Sequence, residues 1–247
     1  MTHSRMLIHP ARLAAALAVV VLALAGLTAP VAAAPATPHA GTHAGTHAGT
    51  AARAFSGTFS GTLAQAVAQI PTAAETNTGY DRALFPHWID ADGDCQNTRA
   101  EVLISERETD TPLTYTSSSN CTVATGRWFS YYDRVSWTNA SDIDIDHLVP
   151  LAEAWGSGAN AWTTARRQAY ANDLGDSRTL VGVTDSVNQS KSDQDPSTWL
   201  PTYDKCRYVS EWVAVKIRWG LSADSAEKSV LDQYASTCSN TVTVTTA

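Results

Sequence analysis

The chain has 247 residues, 44% hydrophobic and 17% charged, with 24 acidic residues against 17 lysines and arginines for a formal net charge of −7. That length suits one domain with a sizeable core. The acidic balance repels polyanions unless basic groups or bound cations concentrate locally, so any nucleic-acid partner has to be met at a focused site.

Residues 1–34 read as a signal peptide. Arg5 and Arg12 supply a positive start, Leu13 to Leu27 form an apolar run, and Val31-Ala32-Ala33-Ala34 offers a small-residue cleavage site. The apolar run, about 15 residues, falls short of the ~20 of a membrane span; the rival reading is an uncleaved anchor. Cleavage leaves an exported chain with no membrane attachment and a charge of −9, from 15 basic against 24 acidic residues. Residues 35–54 are Ala, Thr, Gly, Pro and His, with three copies of His-Ala-Gly-Thr starting at His39, His43 and His47. Nothing there can bury a core, so this is a flexible linker, and residues 55–247 form the folded domain.

Within that domain, "TLAQAVAQI" (62–70) has helical spacing, and "CTVATGRWFSYYDRVSW" (121–137) reads as a hairpin turning near Gly126. "DIDIDHLV" is a strand that must finish before Pro150. "LAEAWGSG" is a short helix ending at a glycine, 161–174 a longer helix and "RTLVGV" (178–183) a second strand. "VNQSKSDQDPSTW" begins a polar turn or helix. Two helices close the chain. Val209, Trp212, Val213 and Ile217 face inward on the first, which Gly220 ends. Ser222 caps the second, whose inner face carries Val230, Leu231 and Tyr234. Cys95, Cys121, Cys206 and Cys238 in an exported chain pair by default, with three connectivities open; nearest-neighbour pairing closes loops of about 25 and 32 residues. A zinc site is disfavoured, because no pair is spaced C-x2-C.

The chemistry gathers at "SDIDIDHLVP" (141–150). On an extended strand Asp142, Asp144 and Asp146 share one side while Ile143 and Ile145 face the core. Strict alternation puts His147 on the core side, so a twist or bulge at 146–147 is needed to aim Asp146 and His147 at one point. Beyond the linker only His87 and His147 remain, and His87 sits in an aromatic context, so a histidine base would be His147. Forty residues on, "NQSKSDQDP" (188–196) follows a strand with an amide, a lysine and two acids.

"D-I-D-H-L-V-P-L" followed by "N-Q-S-K-S-D" resembles the HNH (ββα-metal) endonuclease superfamily. Together with "ARRQAYANDL" and "DPSTWLP", it looks closest to exported bacterial, actinobacterial-type proteins related to the C-terminal nuclease domain of GmrSD-type restriction enzymes. The resemblance implies an α+β fold: a ββα-metal core with flanking N-terminal hairpin and helix elements and two C-terminal helices, stapled by disulfides. It implies a metal-dependent endonuclease acting on DNA, or RNA, and leaving 5′-phosphate and 3′-hydroxyl ends. His147 would be the general base, Asp146 and Asn188 would bind one divalent cation, Mg²⁺ or Mn²⁺, and Lys191 would contact a phosphate. A phosphodiester needs that set: a base near working pH, and charge neutralisation by a hard cation on oxygen donors. Asp144 is a supporting carboxylate or an exposed strand residue. Thr179 stands where the family's middle Asn belongs, which leaves open how the His147 tautomer is held. Arg166 and Arg167 would steer the phosphate backbone or simply form a solvated helix face. No stable protein partner is implied, and a monomer is expected.

A second acidic cluster, "DADGDCQNTRAE", sets Asp90, Asp92, Asp94 and Glu101 at the ligand spacing of a calcium loop, although Cys95 stands where that loop takes glycine. It reads as a Cys-anchored acidic turn, a Ca²⁺ site, or part of the active-site rim. Two further functions therefore stand beside the nuclease: a calcium-stabilised, non-catalytic extracellular binding module, and a metallophosphoesterase on a smaller substrate.

Overall fold

The protein is described from a computed structural model, in which residues 56–247 are described; the expected signal peptide and the His-Ala-Gly-Thr linker lie outside them. Strand β1 (Thr58–Thr62) pairs antiparallel with β7 (Thr241–Thr245), from Thr58↔Thr245 to Thr62↔Thr241, which ties the two ends of the domain together. The Thr-Val alternation of β7 buries Val242 and Val244 and exposes the threonines between them. Helix α1 (Leu63–Val67) follows β1 directly, with Thr62 and Gln65 closing a reciprocal capping box.

Helix α2 (Thr98–Glu106) precedes a three-stranded antiparallel sheet of β2 (Thr114–Tyr115), β3 (Val123–Ser130) and β4 (Val135–Asn139). The expected hairpin is there, but it turns at 131–134, where Arg134 takes φ 62°, and not at Gly126. Gly126 lies inside β3 beside a register shift; a Cβ there would come within 2.7 Å of Leu113 and 2.8 Å of Trp128. Glycine serves close packing at that point, with no role in the turn.

Strand β5 (Ile143–His147) pairs antiparallel with β6 (Leu180–Thr184). Between them run α3 (Leu151–Gly156) and α4 (Thr164–Ala171), and α5 (Asp185–Lys191) follows β6. The register runs unbroken from Ile143↔Thr184 to His147↔Leu180, so no bulge reorients Asp146 or His147. Asp142 is not part of the strand; it belongs to a 3-10 turn, Ala140–Asp142, and accepts a hydrogen bond from Asn139. The pair of strands divides the core. Ile143, Ile145 and Leu180 pack with Leu103 and Trp128, while Val181 and Val183 pack with Tyr170, Tyr208 and Trp212.

Helices α6 (Lys205–Trp219) and α7 (Ser225–Ala235) complete the larger core. Gly220 ends α6 in the left-handed region at φ 67°, as its position predicts. The cap of α7 is Asp224, which accepts from Ala226 and Glu227; Ser222 donates instead to the Ser157 carbonyl. Two disulfides join nearest neighbours, Cys95–Cys121 and Cys206–Cys238, each worth ~3 kcal/mol by constraint of the unfolded chain. The result is a mixed α/β domain, and no helix among the described residues is long and apolar enough to cross a membrane.

Candidate active site

A cavity of about 360 Å³ opens where β5 ends, and its lining includes Ile145, Asp146 and His147 in succession. Consecutive strand residues point to opposite faces, so both reach the cavity because it wraps the strand's end. Beyond it Leu148 and Val149 are fully buried, and Pro150 is the N-cap of α3. This anchors the imidazole between two buried segments.

His147 is 5% exposed. Its Nε2 lies 3.0 Å from the Ala171 carbonyl at the end of α4, and the Trp88 ring sits 5.3 Å away at a 32° tilt. A carbonyl only accepts, so Nε2 carries the proton and Nδ1 keeps the lone pair of a neutral base. Burial, more than any neighbouring charge, pulls the His147 pKa down to about 3. The tautomer is thus held by Ala171. Thr179 is engaged elsewhere: its hydroxyl donates to Asp173 at 2.8 Å.

Asp146, also 5% exposed, is gripped on both oxygens. Lys191 Nζ donates to Oδ1 at 2.9 Å, and Tyr132 donates to Oδ2 at 2.6 Å. Burial raises the Asp146 pKa and lowers that of Lys191, while each opposes the shift in the other. Lys191 is fully buried, with a further contact to the His147 carbonyl at 3.3 Å. The expected phosphate contact is therefore corrected: its ammonium is committed behind the carboxylate. Asn188 lines the cavity from α5, and its Nδ2 donates to Asp144 Oδ2 at 3.1 Å. That bond leaves the amide oxygen as the group available to a ligand. Asp144 accordingly supports Asn188 across 44 residues of sequence.

Residues 101–232, more than half of the chain, match the family model described as the C-terminal domain of GmrSD restriction endonucleases. The chain belongs to this family. An uncharacterized secreted protein of Arthroderma benhamiae is 49% identical over 162 residues, 65% of this chain and 76% of the relative. That organism is a fungus, so the match gives no support to the bacterial origin that the resemblance implied. No solved structure matches the chain. The GmrSD description points to a nuclease-related function, and the secreted relative and the two disulfides are consistent with an extracellular protein.

The GmrSD-matched segment contains Asp144, Asp146, His147, Thr179, Asn188 and Lys191 but begins after Arg82, which also lines the cavity and which sequence reasoning missed. Arg166 and Arg167 do not line it. Arg167 is 8% exposed and donates to the Leu84 and Trp162 carbonyls; Arg166 lies over the Trp162 and Trp219 rings at 4.9 and 5.4 Å. Arg167 is therefore committed within the fold, while Arg166, half-buried, lies away from this cavity and keeps its charge partly at the surface. On the acidic loop, the carboxylates of Asp90, Asp92 and Asp94 lie within 4.8 Å of one another. Cys95 takes φ 75°, the conformation a glycine would supply, and Glu101 Oε2 is buried without a hydrogen-bond partner.

Proposed function

We propose that this chain is a secreted, metal-dependent endonuclease of the HNH type that hydrolyses phosphodiester bonds of DNA or RNA. The observation that carries the reading is the lining of one cavity by a neutral imidazole, a carboxylate and an amide from two segments about forty residues apart in sequence. Nδ1 of His147 takes the proton of the attacking water, and the Ala171 carbonyl keeps the ring in the required tautomer. Asp146 and Asn188 fit a hard divalent cation. Each Asp146 oxygen spends one lone pair on Lys191 or Tyr132 and keeps another, and the Asn188 oxygen is uncommitted. Mg²⁺ or Mn²⁺ held there would neutralise charge on the phosphate and on the leaving 3′ oxygen. Tyr132 and Lys191 orient the carboxylate that would hold it.

The test is plasmid and oligonucleotide cleavage by the purified protein in Mg²⁺, Mn²⁺, Ca²⁺ and EDTA. Wild type should cut in Mg²⁺ or Mn²⁺. His147→Ala should lose about 10³-fold in rate per folded molecule, with a melting temperature lowered by the loss of a buried ring. Wild type inert in every metal would sink the reading.

A calcium ion on the acidic loop is a compatible second proposal, favoured by the unpartnered Glu101 oxygen beside the three aspartates and by the left-handed Cys95. Calcium should then raise the melting temperature of wild type and leave that of Glu101→Gln unmoved.

A further inference from the structure

The 3-10 turn Arg82–Leu84 reaches the cavity from a part of the chain that no active-site motif marks. Its backbone is pinned on both sides. Asp81 accepts from Ala83 at 2.8 Å, Arg167 donates to the Leu84 carbonyl at 2.9 Å, Phe85 is fully buried, and Asn172 donates to the Pro86 carbonyl at 2.8 Å. Arg82 itself is exposed, and its charge favours ionisation of the nearby Tyr80 hydroxyl, whose ring packs on Trp155 at 6.2 Å. A fixed base with an exposed cation is the arrangement that places a charge without burying it.

The cavity has two carboxylates in its lining, Asp146 and Asp193, and Arg82 is the one cationic residue among them. Lys191 is spent on Asp146. With Asp146 balanced by Lys191, an anionic group entering such a space is repelled by Asp193 and attracted by Arg82 alone among the lining side chains. The guanidinium is suited to this because its planar fork can donate two parallel hydrogen bonds to two oxygens of one phosphate.

We infer that Arg82 is the residue by which this cavity holds the anionic phosphate of its substrate, a role that rests on the phosphodiester reading and adds a substrate contact to it. Arg167, which the sequence offered as a phosphate-steering residue or part of a solvated helix face, instead holds the Arg82 turn through the Leu84 carbonyl.

Two measurements test this on the full chain. The first is cleavage of single- and double-stranded oligonucleotides by Arg82→Ala and Arg82→Lys. Arg82→Ala should lose about 100-fold in kcat/KM, Arg82→Lys should recover only part of it, and both should melt with wild type because the side chain is exposed. The second is calorimetric titration with inorganic pyrophosphate in EDTA, where Arg82→Ala should bind at least about tenfold more weakly. An active wild type whose Arg82→Ala variant cleaves within about twofold overturns the inference. If wild type cleaves nothing, the nuclease reading fails separately and the titration decides for Arg82. Pyrophosphate binding that depends on Arg82 supports it; equal binding by both proteins, or none by wild type, overturns it.

Discussion

Two lysines in this domain are completely buried, and they are buried for different ends. Lys191, at the end of α5, meets one carboxylate, Asp146, at 2.9 Å beside an open cavity. Lys216, in the last turn of α6, meets Glu153 at 2.7 Å and Glu227 at 2.6 Å, with Glu75 at 3.9 Å, and also donates to Ser157 and the Ser222 carbonyl. The first pair balances in charge and leaves lone pairs facing a space that can admit a ligand. The second is one cation among three carboxylates, so full ionisation would leave two uncompensated negative charges in the interior. Protons resolve that excess. Burial raises Glu75 to about 8 and Glu227 to about 7. A buried ion pair is therefore weak evidence of a site by itself; the adjoining cavity and the unused acceptors distinguish the two.

The contrast breaks most sharply by deleting Lys216. Lys216→Ala strands Glu153 and Glu227 without their cation and unties α3, α6 and α7 at once. Removing one partner from a buried charge cluster costs ~3–5 kcal/mol, about 10 °C in melting temperature for a domain of this size. Cleavage per folded molecule should persist, since none of these groups lines the cavity. Denaturant melts with an activity assay on the folded fraction check both halves. A variant that melts with wild type would mean that the cluster contributes nothing net.

Lys191→Met should cost less in stability and more in function. Asp146 keeps the Tyr132 hydrogen bond and can take up a proton, so the loss should be about 1–3 kcal/mol. A carboxylate that is protonated, or free to rotate, no longer presents a fixed anionic oxygen, so cleavage should fall by at least about tenfold at saturating metal. Full activity in Lys191→Met would show that Asp146 needs no orienting partner.

The reach of sequence reading divides along the same line. Strand β5 and the polar helix start at α5 were legible because an apolar-acidic run, a proline stop and a polar segment are local patterns, but the bulge expected at 146–147 is absent and Asp142 lies outside the strand. The closing strand β7 was equally legible in Thr-Val alternation but was passed over, because it has a partner only in β1 at the other end of the domain. Neither buried lysine was legible. Lys191 meets Asp146 across 45 residues and Lys216 meets Glu153 across 63, so nothing near either lysine marks it as interior. Arg82 went unmarked, and Arg167 was credited with a phosphate role, for the same reason. An arginine facing carbonyls and one facing a cavity look alike until the tertiary fold separates them.

The smallest effect is the most specific to the Lys216 cluster. Glu75 and Glu227 bind their protons more tightly folded than unfolded, where carboxyls titrate near 4.5. Their stabilising contribution is therefore complete below about pH 4.5, and it is lost as pH rises through 7 and then 8. With Glu153 and Lys216 as the other charges facing this point, melting temperature should decline from about pH 4.5 to about pH 8 and level off above it. Glu75→Gln keeps a neutral side chain at that position at every pH, so its decline should be shallower and confined to the lower part of the range, where Glu227 titrates. The Lys191–Asp146 pair has a single carboxylate facing its ammonium at bonding distance, so Lys191→Met, which frees Asp146 to take up a proton, should steepen the decline where Glu75→Gln makes it shallower. Parallel slopes in wild type and Glu75→Gln would place the excess proton elsewhere and remove the distinction between the two lysines.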